Sequence, residues 1–545
     1  MDNSEQKKVT IYSYSKVWKV EKRIYAIQNL VLPVPIDPWQ LLYFGITWAA
    51  INLTFGALPG FSSIPVVIRS ILIPYLISKF LLTKKLDGKN PIRYMIGIVM
   101  FLFCEQDKAL EHFKLQPVKK RQAIKLSRET GGDGMYQCPI DYYIDNLVFN
   151  SDKSCWAIYR LKGFNYDYLS TQGKVNKLVQ LARVYSGVMS YAQILVIPIE
   201  KDVEEHFRNL RERLHRNDIL YDSAMQQIEL TESYLREKTE QLGRVNDYAT
   251  YFIVKLSEAS EYEAVEKLSE FLMYFIKDPV NAINVQMNLD TKDILKSKIE
   301  AYEKMANKWL DENKYKMSME AATTEETQWL FRRIAYRGTG IPAKLFYKTV
   351  GREKWEPDAD EVVINHEKIV RPYHRDTVSL FEGSIEAQNR SLKVSTGFST
   401  SYQTFLPIVW LPEQNEFPGK EWLYELQIRN LQAEVCIHIK AIPHKSALHQ
   451  LELKKREINS QIEHIEEANA DIPEDLYTSK EYADCMEQEL KDDRSPLLES
   501  NITVCLSDSN LDGLEKKCSR VKELYDNMNI IIERPLGDQL KLYMS

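Results

Sequence analysis

The sequence predicts an α+β chain in which an N-terminal transmembrane helical hairpin precedes two cytoplasmic α+β lobes carrying a long helical arm. Three observations predict it. Residues 39–68 contain no charged side chain, and the run is broken at Pro59-Gly60. After residue 131 short apolar runs alternate with segments of helical period. Leu448, Leu451, Ile458 and Ile462 then recur at helical steps along a charged segment. A chain of 545 residues is expected to hold more than one core. Its 44% hydrophobic and 27% charged content is ordinary for globular proteins and calls for no low-complexity tract. The net charge of -6 gives no support to a nucleic-acid-coating surface, so direct nucleic-acid binding is not expected.

Residues 1–130 read as a membrane module. The two apolar spans, about 41–58 and 64–82, each approach the roughly 20 residues that a helix needs to cross the hydrocarbon. Lys7, Lys8, Lys16, Lys19, Lys22 and Arg23 precede them, and Lys84, Lys85, Lys89 and Arg93 follow, while the turn carries no charge. The positive-inside rule then puts both termini in the cytoplasm and the chain in the cell membrane as a two-helix, multi-pass protein. Trp39 and Tyr43 are expected as interfacial anchors, with Pro59 and Gly60 forming the turn. Arg69 and Lys79 lie where their heads can snorkel. A buried hairpin of a soluble protein is the competing reading, against which stands the length of the uncharged run. The patch Met95 to Cys104 is too short to span and reads as an interfacial or core helix. Pro33, Pro35 and Pro38 forbid a helix between the basic N-terminal segment and the first span.

The first lobe, 131–320, begins after the Gly131-Gly132 break. Strands are expected at Ser154 to Leu161, Ala192 to Pro198 and Tyr251 to Val254. Helical patterns fall around Leu178, Leu181 and Val184, over Asp202 to Glu240, and over Ala264 to Phe275. The second lobe, 321–545, opens with a hairpin-like region through Val378-Ser379-Leu380 and Lys393-Val394-Ser395. A strand follows at Val435 to Ile439 and then the helical arm. Strand Ile502 to Leu506, helix Leu511 to Tyr525 and strand Ile530 to Ile532 close the lobe. The arm's stripe is either core packing within the chain or a surface for another subunit.

Two resemblances run through these blocks. Residues Tyr14 to Tyr25, Leu32-Pro33-Val34-Pro35 and Leu42-Tyr43-Phe44-Gly45 resemble the TcpE family of small membrane proteins from Gram-positive conjugative elements. Trp156 to Phe164, Trp329-Leu330-Phe331-Arg332-Arg333, Phe405-Leu406-Pro407-Ile408, Glu421 to Tyr424 and Arg534 to Gln539 resemble, in order, the N-terminal region of the CagE/TrbE/VirB family of type IV secretion ATPases. Together they imply a membrane scaffold of a conjugative DNA-transfer channel whose partners are other channel subunits, a separate ATPase motor chain or further copies of itself. One alternative is half of a split ATPase completed by another chain. Another is a membrane-bound regulator unrelated to secretion.

The chemistry of a motor is not legible. A phosphate-binding loop needs G-x-x-x-x-G-K-[ST], so that amides cradle phosphate and lysine meets its oxygens. The nearest run, Gly338 to Lys344, lacks the second glycine before its lysine and has Pro342 where a donating amide is wanted. No catalytic residue, cofactor or metal is therefore expected in this chain, and ATP with magnesium enters only through a separate motor domain. The seven scattered cysteines form no Cys-x-x-Cys pair and fit a reducing compartment. At the C-terminal end Leu540, Leu542 and Met544 follow Arg534 to Gln539. They are expected, with Leu448, Leu451, Ile458 and Ile462, to form a docking surface.

Overall fold

Runs rich in β-branched and aromatic residues set the strands, and the computed structural model assembles them into one large sheet. It describes most of residues 9–117, 138–256 and 291–544; the longer stretches left out within them are 54–64, 201–206, 212–220, 340–357 and 374–382. In chain order the strands of the main path are β1 (Lys108–Glu111), β2 (Lys114–Pro117), β3 (Ile140–Ile144), β4 (Leu147–Asn150), β5 (Cys155–Leu161), β6 (Tyr191–Glu200), β7 (Asn246–Leu256), β8 (Ser384–Ala387), β9 (Leu392–Ser395), β10 (Thr400–Trp410), β11 (Ala433–Ile442) and β12 (Leu497–Asp508). Their spatial order is β2-β1-β8-β9-β10-β12-β11-β6-β7-β5-β4-β3, and Met319–Ala321 and Ile531–Ile532 complete a fourteen-stranded sheet among the described residues. The pairings are antiparallel throughout this path. The molecule is thus α+β with a large antiparallel sheet.

Strand alternation divides the side chains between two layers. Ala157, Tyr159, Phe252 and Val254 meet Val184 of the helix Thr171–Ser186 and Ile299 and Tyr302 of the helix Thr291–Met317. Their neighbours Ile158, Tyr251 and Ala249 turn the other way, onto Trp329 and Leu330 of the helix Thr324–Tyr336. Thr323 and Glu326 start that last helix by a reciprocal capping box. Across the sheet, Val435, Val504 and Leu506 bury against Leu514, Val521 and Tyr525 of the helix Leu511–Asp526. Strands of both expected lobes therefore lie in one sheet, joined where β6 pairs with β11.

The helical arm is a hairpin of His444–Glu467 and Glu474–Asp493. Leu451, Ile458 and Ile462 bury against Leu476, Ala483 and Met486, together with Val17 from the N-terminal segment. Lys455 lies between Asp484 and Glu487 of the opposing helix, so the seam lysine closes the hairpin electrostatically. The expected helix over Ala264 to Phe275 and the strand through Val378 lie outside the described residues.

The N-terminal hundred residues are woven into this body rather than appended to it. Val9–Tyr12 pairs with Gln414–Phe417, and β1 pairs with β8. The C-terminal segment fastens the same region: the Leu536 amide donates to Asp87 Oδ2 at 2.8 Å, and Lys89 forms an ion pair with Asp538. Gln539 reads the Phe405 backbone twice, accepting from its amide at 2.8 Å and donating to its carbonyl at 3.2 Å.

The described residues do not support the transmembrane hairpin. Pro38–Leu53 has 16 residues, about 24 Å of helix against the roughly 30 Å of a bilayer core. The second span becomes a π-helical turn, Ile68–Leu72, carrying Arg69, and an α-helix of 11 residues, Ile73–Thr83. Among the described residues no helix is long and apolar enough to cross a membrane, which overturns the two-helix, multi-pass placement. Hydropathy reports how apolar a run is, whereas spanning also needs one α-helix of sufficient length, and neither Pro38–Leu53 nor Ile73–Thr83 supplies it. These helices instead pack on each other, with Ser70 Oγ donating to Asn52 Oδ1 at 3.0 Å. Tyr43, expected at an interface, is buried within the chain; Trp39 lies in the first helix, and Pro59 and Gly60 lie outside the described residues.

Gly537 tests the fastening of the two ends. Its φ is +77°, and an added Cβ would stand 2.9 Å from Phe101 Cβ. Gly537→Ala is expected to cost about 2 kcal/mol or more, the left-handed penalty plus the displacement of Phe101. Gly45→Ala, where an added Cβ meets nothing within 4 Å, is expected to be neutral or slightly stabilising. Urea unfolding of both variants beside wild type checks the contrast.

Candidate functional site

Two places in the molecule concentrate chemistry: a buried polar cluster on the sheet and an open apolar cleft. The cluster starts from Glu434, which strand alternation places on the same face as Cys436 and His438. Two arginines one helical turn apart reach it: Arg333 pairs with Glu434 Oε1, and Arg337 Nε donates to Oε2 at 2.8 Å. The second Arg333 nitrogen donates to the Pro198 carbonyl at 3.0 Å, so this side chain bridges β6 and β11. Each guanidinium also lies over a ring, Arg333 on Trp329 and Arg337 on Phe405. Burial alone would raise the Glu434 carboxyl, but the two guanidiniums outweigh it and hold it below its ordinary 4.5.

Cys436 Sγ stands 3.2 Å from His438 Nε2 and accepts from Gln193 at 2.9 Å, a thiol–imidazole pair brought together by alternate positions on one strand. Its electrostatics oppose nucleophilic use. Burial pushes the Cys436 thiol up to about 11 and lowers His438, so the thiol stays protonated beside a neutral ring. Burial likewise raises Cys505, across the strand from Glu434, to about 12. Among the described residues no group of three or more His, Cys, Asp or Glu is placed to hold a metal ion. The cluster's chemistry is that of a satisfied ion triad pinning a helix to the seam of the sheet.

The cleft has a volume of about 1940 Å³. Tyr14 and Trp18 of the N-terminal segment line one part of it; Tyr248 and Trp410 of the sheet and Trp422 and Leu423 of the helix Trp422–Ile428 are among the residues that line the others. Neither His nor Cys appears among its lining residues. Trp18 is 38% exposed, an aromatic surface held open to solvent.

The expected docking residues are placed otherwise. Leu451, Ile458 and Ile462 are buried inside the helical hairpin, with Leu448 packed against the same core. Leu540 is 1% exposed, and Leu542 and Met544 pack beside it against a core that includes Leu110, Ile385 and Phe405. The chain itself covers the apolar tail. Exposed apolar side chains lie on the N-terminal helices, at Leu41, Ile46, Trp48, Ile71, Leu76 and Phe103. The sequence signal for the cleft was its scattered tryptophans, which no local pattern connects.

Sheet, cleft and fastened N-terminal helices define an α+β protein in which the first hundred residues share a body with the rest. Residues 13–112 match the model of the TcpE family, a conjugation-related family. That match lends no support to the likeness of the later segments to CagE/TrbE/VirB ATPases. No curated protein matches the chain.

Glu434 provides a test of the triad. Because its folded value is depressed, its stabilisation is complete above about pH 4.5 and is lost as pH falls through the folded value. Glu434→Gln is expected to cost about 3–5 kcal/mol at neutral pH by leaving two buried guanidiniums without their carboxylate. It should also flatten the acid limb of the stability profile. Urea unfolding of wild type and variant over a pH series measures both effects.

Proposed function

We propose that this chain is a non-catalytic assembly subunit of a conjugation apparatus, in which the TcpE-like segment presents an interaction surface and the large sheet anchors it. The carrying observation is the exposed apolar surface on the helices of the matched segment, at Leu41, Ile46, Trp48, Ile71, Leu76 and Phe103. Large apolar side chains left exposed on the helices of one folded segment offer another molecule a place to sit. The partners in this reading are other conjugation subunits, and a motor with its ATP and magnesium belongs to a separate chain. The ordered likeness to secretion-ATPase N-terminal segments supports that division of labour, as does the Gly338 to Lys344 run, which departs from a phosphate-binding loop.

The assembly role is tested in the native host by Ile71→Ser combined with Leu76→Ser, both at exposed positions. At unchanged protein abundance, conjugative transfer is expected to fall at least about a hundredfold; transfer at the wild-type frequency would refute the role. The non-catalytic half is tested on purified protein, which should hydrolyse ATP with magnesium no faster than background. Turnover that disappears in Lys344→Ala would place a working loop at a position lying outside the described residues.

A further inference from the structure

We infer that an extended segment of a partner protein adds as a β-strand to a free edge of β12 inside the cleft. This site is separate from the exposed helices invoked above, and it is the backbone that selects the occupant.

Strands β10 and β12 pair in unbroken register from Tyr402 opposite Asp508 to Pro407 opposite Thr503, and there the pairing ends. β12 nevertheless continues to Leu497, held on its other side by β11 as far as Ile442. β10 takes a different neighbour beyond Pro407, pairing Ile408 and Trp410 with Ile532 and Ile531. The sheet is thereby split in its interior rather than at its rim. Both lips of the split, Ile408 to Leu411 and Leu497 to Ser500, line the cleft. Among the described residues no strand pairs with Leu497 to Asn501 on the side facing β10.

Alternation decides which main-chain groups are left over, because successive residues of a strand point their N–H and C=O to opposite neighbours. Phe405 and Pro407 direct theirs away from β12: Gln539 bonds to both groups of Phe405, and the Pro407 carbonyl accepts from the Glu533 amide at 3.1 Å. The residues of β10 that bond to β12 are therefore Thr404 and Leu406, opposite Leu506 and Val504. Counted on by twos along β12, Ser500 and Leu498 present their N–H and C=O to the open side, while Glu499 and Asn501 face β11.

Donors and acceptors at strand spacing are complemented by another extended chain, whereas a helix uses its own backbone groups internally and offers none. Proteins commonly blunt a bare edge with charge or proline. Here the edge-facing residues are Leu498 and Ser500, both exposed, and Trp410, Leu411 and Leu423 line the same cleft. Glu499 pairs with Lys440 of β11 at 3.4 Å. Recognition is therefore by main chain, with apolar side chains at alternate positions of the added strand meeting the lining.

The test uses the full-length protein and a fluorescein-labelled eight-residue peptide of alternating valine and threonine, followed by fluorescence anisotropy. Saturable binding is expected. Because only every second amide of the added strand faces β12, N-methylation of one alternate set should weaken binding at least about tenfold, and of the other set less than about twofold. Ser500→Pro removes an amide that faces the open side, so it should spare the β11 pairing and the thermal midpoint while weakening the unmodified peptide at least about fivefold. If that variant fails to fold, the methylation contrast on wild-type protein still decides. No saturable binding, equal effects of the two methylation patterns, or wild-type affinity in a folded Ser500→Pro would overturn the proposal. Transfer frequency in the host plays no part in it, so a failure here leaves the assembly role standing and the reverse also holds.

Discussion

The pairing of β6 with β11 is the constraint on which the rest of the molecule depends. It joins Val196 to Val435 and Tyr191 to Lys440, residues separated by well over two hundred positions, and without it the sheet would fall into two halves. Backbone hydrogen bonds alone would leave this seam like any other. Arg333 makes it different, because one guanidinium holds Glu434 on β11 and the Pro198 carbonyl on β6 together. Charge-assisted bonds in a buried place are strong, and expensive to leave half made. The helix Thr324–Tyr336 is thereby locked across the joint, and its capping box fixes where it begins.

That rigid centre explains how the TcpE-like segment is carried. Its first strand adds to Gln414–Phe417, Val17 enters the core of the helical hairpin, and β1 extends the sheet beside β8. The far end is held by Asp87, Lys89 and Gly97 against the Leu536 to Asp538 segment. Fastened at several points, the segment keeps its central helices in place while leaving apolar side chains on their outer surface. A flexibly tethered module would lose ordering entropy on meeting a partner, whereas one held in this way has lost it on folding.

The cleft follows from the same arrangement. The N-terminal segment crosses beside strands from both halves of the sheet, and the space bounded by these elements and the helix Trp422–Ile428 is left open. Its aromatic lining belongs to no single stretch of chain. The buried cluster, by contrast, is closed: Glu434 has two guanidinium partners, and Cys436 and Cys505 are held as thiols by desolvation.

The sequence by itself determined the elements whose signal is local. Strands at Cys155–Leu161 and Ala433–Ile442 follow from β-branched and aromatic runs, the arm from a stripe at helical steps, and the likeness to the TcpE family from residues within 13–112. The α+β class was legible for the same reason. Only the tertiary structure decided which apolar surfaces meet. It buried Leu451 and Leu540 that composition left available, and among the described residues it shows no helix long and apolar enough to cross a membrane. It also brought Trp18, Tyr248, Trp410 and Trp422 to one cleft. Hydropathy reports what a residue avoids and periodicity reports which face it occupies, but the partner that covers that face is fixed by long-range strand register and side-chain fit, which no window of sequence contains.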